Sequence, residues 1–165
     1  MTTRNQLIAD HVRALLHLLG VEADDPLLNS TPEKVASFYQ EHFFSGLDPQ
    51  KRPEFKPFLE PVCQSHEIAF ENIPFVSLCE HHLVPMMGKA SIRVRPKDYL
   101  LGFSKIYELV RYLAAKPQLQ ERLTEEIADH VIAILRTENV SVNIQATHFC
   151  VITKHPGDMT SSIST

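Results

Sequence analysis

Tryptophan is missing from the 165 residues, and cysteine occurs only three times. Long apolar runs are also missing: none approaches the ~20 residues that span a bilayer. The first residues, MTTRNQLIADH, turn polar at once and lack the apolar stretch of a signal peptide. We expect a cytoplasmic protein with no membrane partner. Basic charge is scarce as well. Sixteen Lys and Arg against 20 Asp and Glu leave a net charge of −4, a poor balance for non-specific nucleic-acid binding. A small anion needs only a local basic pocket and stays open as a ligand. The cysteines, Cys63, Cys79 and Cys150, are odd in number. In a chain read as intracellular this argues against a disulfide framework and towards thiolate chemistry or a metal.

What is present suits one globular domain with an appended piece. Hydrophobic residues make up 44% of the chain and charged residues 22%, so a core can form and disorder is not the dominant state. Residues 4–19 carry Leu7, Ile8, Val12, Leu15, Leu16 and Leu19 at helical spacing, with Gly20 as a stop. Thr31 reads as the N-cap of a second helix with Pro32 at its first position. Val35, Phe38, Tyr39 and Phe43 form its stripe. Residues 1–48 are therefore expected to be a helical extension. Residues 49–64 hold Pro49, Pro53, Pro57 and Pro61 and read as a linker.

Residues 65–165 are expected to form the main folded domain. Ile68 and Phe70 alternate with polar residues, as do Ala90, Ile92 and Val94, which predicts two half-buried strands. Ser104 can cap a helix with stripe Ile106, Leu109, Val110 and Leu113. Pro117 is read as opening another, with stripe Leu119, Leu123, Ile127, Val131, Ile134 and Leu135. A long strand is predicted over residues 140–152, and DMTSSIST can form a last one. Strands segregated from helices argue for an α+β fold with an antiparallel sheet.

Cys79-Glu80-His81-His82 is the densest chemical cluster. Cys and His three apart can hold one metal from a tight turn, with Cys150 as a third ligand and a fourth position for water, as in catalytic zinc sites. The opposing reading is a chance motif and a buried strand cysteine. Counting by two along the long strand puts His148 and Cys150 on one face, roughly 7 Å apart. His148 then suits a general acid or base beside the metal, or else a histidine satisfied at the sheet edge. Gln120 and Glu121 fall off the apolar stripe of their helix. Glu121 is either a solvated dipole partner or a fixed carboxylate for paired N–H donors such as a guanine edge.

Five segments together resemble the successive signatures of the GTP cyclohydrolase I family: STPEKVASFYQEHFFSGLD, CEHHLVPMMGKA, LGFSKI, QLQERLTEEIA and QATHFCV. They run in the family's order from about residue 5 to 160. The resemblance implies a tunnelling fold, an antiparallel sheet with two helices on one face. Subunits of that fold pool their sheets into a barrel and assemble as toroidal homodecamers with sites between subunits. It assigns zinc to Cys79, His82 and Cys150, and proton transfer to His81 and His148, with Ser104 in support. It assigns guanine recognition to Glu121 aided by Gln120, and ribose or phosphate contact to Ser104 and Lys105. The implied reaction is hydrolytic opening of the GTP imidazole ring at C8, loss of formate and rearrangement to dihydroneopterin triphosphate, within pterin and tetrahydrofolate biosynthesis. Zinc lowers the pKa of water from about 15.7 towards 7, which makes hydroxide available.

The phosphate residues depart from the family pattern. The family places cations at the positions of Lys34, Ser37, Lys105, Glu108 and Lys154; here three lysines remain against Glu108. Glu108 either faces the ligand and repels a triphosphate, or turns to solvent or to Lys105. Two alternatives follow: a related cyclohydrolase acting on a guanine nucleotide or nucleoside with fewer phosphates, and a non-catalytic zinc-bound ligand-binding or assembly protein. His81, His148 and Glu121 speak against the second, because a structural zinc needs none of them. The family also runs past the segment that ends here at Ser164-Thr165, which leaves open a shortened sheet edge or a longer chain.

Overall fold

The computed structural model describes residues 3–22, 25, 29–60, 66–155 and 162–165. Two compact units divide the chain, Met1–Ser45 and Gly46–Thr165.

In the first unit, α1 (Arg4–Leu18) starts at Thr3, whose hydroxyl accepts from Gln6 N at 3.2 Å. Gly20, at φ +86°, follows its end. α2 (Thr31–Phe38) has Ser30 rather than Thr31 at its N-cap, and neither forms a side-chain cap bond. Pro32 fits this frame because the first helical turn has no use for its missing N–H. The helix widens into a π turn, Tyr39–Phe43. Ala9 and Ala36 are fully buried between the two helices' contacting faces. Arg13 bonds Glu33 at 2.6 Å and Gln40 donates to Asn5 at 2.8 Å. Lys34 lies exposed on α2.

The second unit is built on a five-stranded sheet. Its elements are β2 (Ile68–Cys79), β3 (Pro85–Val94), β5 (Pro117–Gln118), β6 (Val140–His148) and β7 (Ile163–Ser164), in the order β5-β2-β3-β6-β7. All neighbours are antiparallel except β2 and β5. α3 (Phe103–Ala114) packs on β2, α4 (Gln120–Leu135) packs on β6, and the two helices touch. The predicted stripes are the ones that enter the core: Ile106, Leu109, Val110 and Leu113 from α3, and Leu123, Ile127, Val131 and Leu135 from α4. They meet Ile73, Phe75, Ile92 and Ile144 from the sheet. At roughly 1.5–3 kcal/mol per fully buried aliphatic side chain, this layer dominates the unit's stability.

Several expectations are corrected. The proline-rich segment is not a bare linker: it holds a 3-10 turn, Pro49–Lys51, and β1 (Phe58–Leu59), which pairs with β4 (Tyr99–Leu100). Cys63 and residues 158–161 of the tail lie outside the described residues. β2 runs on to Cys79, well beyond the Ile68 and Phe70 alternation that predicted it. Asn72, at φ 59°, sits where the register shifts between Phe70 and Ile73, and this bulge resets the alternation so that both halves face the core. Gly102, not Ser104, is the N-cap of α3, and Ser104 lies exposed in its first turn. Pro117 does not open a helix. It pairs with Leu78 in β5, an edge strand that needs no N–H from it, and α4 starts at Gln120. The strand β6 stops at His148, and Phe149–Ile152 form one helical turn, α5.

Candidate metal centre and its neighbourhood

The centre lies at one end of the sheet, where β2 turns into β3. Cys79 closes β2, 6% exposed. Its N–H donates to Val84 O at 2.9 Å, and Leu83 N donates back to Cys79 O at 2.8 Å. Leu83, at φ 52°, takes the left-handed backbone that makes this turn tight. On the other side Glu80 N donates to Gln118 O of β5 at 3.1 Å. The CEHH turn is thus held by backbone bonds on both flanks.

β3 passes the frame on to β6, where Met86 pairs with His148. The helical turn that follows, rather than a continuing strand, carries Cys150. The ligand atoms of Cys79, His82 and Cys150 all lie within 4.8 Å of one another. Cys79 Sγ and His82 Nδ1 are 3.7 Å apart, near the roughly 3.5 Å edge of a tetrahedron around zinc. Burial, then the neighbouring Cys79 thiol, pushes the Cys150 thiol up. Two thiols facing each other resist becoming thiolates unless a cation joins them. Soft sulfur and imidazole donors are also the set that a zinc-like ion selects. The three residues fit a metal ion.

Around the cluster the other candidates are placed as follows. Lys154 Nζ lies 3.2 Å from His82 Nε2. His81 is exposed, with Nε2 4.0 Å from Glu80 Oε1. Glu80 in turn takes both guanidinium nitrogens of Arg122, at 2.7 and 3.3 Å. That hydrogen-bonded Arg122 holds the Glu80 carboxyl below its ordinary value. His148 Nε2 is 2.9 Å from Gln120 Oε1. Burial pulls its imidazole below the ordinary histidine value, and the Glu121 carboxylate partly offsets this. Glu121 is exposed in the first turn of α4. Gln120 is 2% exposed, and its amide is engaged on both sides by protein groups.

Lys105 sits on the first turns of α3, where its Nζ is 2.7 Å from Glu108 Oε2. Glu108 is therefore turned to its own helix neighbour, one of the orientations left open by the sequence. Lys34 belongs to the N-terminal unit. Sequence reasoning gave no role to Arg122, Thr124 or Thr165. Arg122 stands next to the Gln-Glu pair, but nothing in its local pattern marks Glu80, 42 residues away, as its partner.

Comparison with known proteins agrees with this geometry. The family model described as GTP cyclohydrolase I matches residues 8–165. Proteins named GTP cyclohydrolase 1 from Salmonella gallinarum, Enterobacter sp. (strain 638) and Klebsiella pneumoniae are each 37% identical over 163 residues. Those residues are 99% of this chain and 73% of each relative. With its α+β sheet, its pair of covering helices and its Cys-His-Cys group, the chain belongs to the GTP cyclohydrolase I family and has that family's tunnelling fold.

Proposed function

We propose that this chain is a GTP cyclohydrolase I-type hydrolase that opens the imidazole ring of GTP at C8, releases formate and forms dihydroneopterin triphosphate. The observation that carries the reading is the convergence of two thiols and one imidazole within 4.8 Å, followed two residues before Cys150 by a half-buried histidine. Zinc held by Cys79, His82 and Cys150 would supply the Lewis acidity that makes hydroxide available at neutral pH. The exposed Glu121 carboxylate is suited to accept the paired N–H donors of the guanine edge. His148 is suited to take up a proton from the attacking water and pass it on to the ring nitrogen as the ring opens. His81 and Ser104 serve later proton transfers, and Lys105, Lys154 and Lys34 the phosphates. Thiolate ligands suit a reducing compartment, in keeping with a cytoplasmic enzyme.

The reading extends to assembly as a closed homo-oligomer, the decamer of the family. Val76, Met87, Phe149 and Val151 are exposed apolar residues of the sheet and its metal end, and such surface is commonly covered by partner subunits. Sedimentation showing an active monomer would refute the assembly.

The deciding experiment is formate release from GTP by the zinc-loaded chain, with GMP and guanosine in parallel. Formate from GTP is expected; no formate from any of the three would leave a binding or assembly protein. A second reading, a substrate with fewer phosphates, has one specific support: the Lys105–Glu108 pair at 2.7 Å engages a cation of the phosphate set. Faster turnover of GMP or guanosine than of GTP would establish it.

A further inference from the structure

The hydrogen bonds around Gln120 have a fixed sense. Its amide nitrogen lies 3.2 Å from Ile144 O, 3.1 Å from Ile163 O and 3.0 Å from Thr165 Oγ1. Backbone carbonyls only accept, so the group facing them must be the amide NH2. The opposite atom, Oε1, is then the one 2.9 Å from His148 Nε2. An amide oxygen can only accept, so His148 Nε2 must carry a proton.

The hydroxyls continue the same sense. Thr124 Oγ1 donates to the backbone oxygen of Gln120 at 2.9 Å, which commits its one proton. Thr165 Oγ1, 2.7 Å from Thr124 Oγ1, must therefore donate to it and keep a lone pair for Gln120. Thr165 is itself fixed by two backbone bonds with Ile144, at 2.8 and 2.9 Å. One directed chain runs from His148 through Gln120 and Thr165 to Thr124, anchored at three backbone carbonyls. Among the described residues, His148 Nδ1 has no hydrogen-bond partner.

We propose that Gln120 is a positioning residue that holds His148 in the Nε2–H tautomer, so that Nδ1 is the atom His148 offers for proton exchange with the substrate. This rests on the reading above that His148 transfers protons. The buried amide is thereby a support for the histidine rather than a donor to guanine. Which nitrogen carries the proton decides where a neutral imidazole can act as base, and a histidine held in the wrong tautomer can lose up to about 10⁴ in kcat.

The test is long-range 1H–15N NMR of the zinc-loaded, 15N-histidine-labelled chain at neutral pH, with His148 assigned by the signals lost in His148→Asn. A protonated Nε2 and an unprotonated Nδ1 are expected. A protonated Nδ1 in the unaltered chain overturns the proposal, whatever the variants do. Gln120→Met keeps the length and removes the acceptor. It should give mixed tautomers, full metal content, a GTP KM within about threefold and a kcat lower by about 10- to 1000-fold. Wild-type kcat in folded Gln120→Met, with His148→Asn inactive, overturns the proposal and leaves the reading of His148 intact. Wild-type turnover by His148→Asn overturns that reading itself, and the proposal with it.

Discussion

The metal end of the sheet and the start of α3 both carry residues of the candidate site, but they are held in opposite ways. Cys79, His82 and Cys150 are short side chains on or beside bonded backbone: Cys79 bonds Val84, its neighbour Glu80 bonds Gln118, and Cys150 stands two residues past the His148–Met86 pair. Their convergence within 4.8 Å follows from where the strands end. Lys105 and Glu108 are long side chains three apart on one helix, each more than a third exposed, and they pair with each other. The metal centre is specified by the fold. The phosphate contact proposed for Lys105 would depend on competition between side chains, which one substitution can redirect.

The largest effect should come from attacking the specified end. Cys150→Ser removes one of two soft donors, and serine is a poor ligand for the same ion. We expect loss of bound metal and a fall in turnover of at least about 10³-fold, since in the proposed reaction the bound zinc is what makes hydroxide available at neutral pH. Metal analysis and a formate assay on the same preparation check it. A fully active, metal-free preparation would break the comparison at its root. Cys63→Ser should leave both readouts unchanged.

Glu121→Gln leaves the fold in place and replaces one acceptor oxygen of an exposed carboxylate by an NH2 that can only donate. A hydrogen bond to a charged group is worth about 1.5–3 kcal/mol, so kcat/KM for GTP should fall by about 10- to 150-fold with metal content unchanged. Equal kcat/KM in the variant would reduce Glu121 to a dipole partner of α4.

Gly88→Ala tests the frame itself. A Cβ there would overlap the Gln145 carbonyl oxygen and lie 2.7 Å from Ala146 Cβ. The strands β3 and β6 would be pushed away from each other close to the Met86–His148 pair. Forcing extra volume into a packed position costs about 1–3 kcal/mol, so the midpoint of denaturant unfolding should fall and metal binding weaken with it. Unchanged metal affinity in a destabilised variant would separate the cluster from the strand pairing said to build it.

Much of this contrast was legible in the residues. The stripes of α3 and α4 read correctly because every fourth or third residue truly enters one core. The CEHH turn read correctly because its residues are adjacent in the chain. The misreadings have local causes. Cys150 and Ile152 continue the count by two from Val140, but the unbroken apolar run Phe149–Ile152 fits one turn of helix equally well, so the predicted strand extends too far. Pro117 has no N–H to give, a property shared by the first turn of a helix and an edge strand. Gln120 read only as an off-stripe residue aiding Glu121, because the groups that engage its buried amide, Ile144, Ile163 and Thr165, lie 24 to 45 residues away.

The smallest effect should come from the redirectable end. Lys105 and Glu108 form a pair only 2.7 Å apart, yet their side chains are 39% and 43% exposed. Pairs at such exposure are worth about 0.2–1 kcal/mol, so a phosphate can compete for Lys105, but against a standing partner. Glu108→Gln removes the partner and the repulsion together without adding a cation. KM for GTP should fall by no more than about fivefold, the factor that corresponds to 1 kcal/mol. KM for guanosine, which has no phosphate to respond, should not move. High salt should shrink the difference, because exposed charges are screened within about 10 Å at 0.1 M. A drop beyond tenfold would mean that Glu108 acts on the phosphates directly rather than by holding Lys105. No change at any salt concentration would remove Lys105 from the phosphate set and leave the contrast between the two ends resting on the metal centre alone.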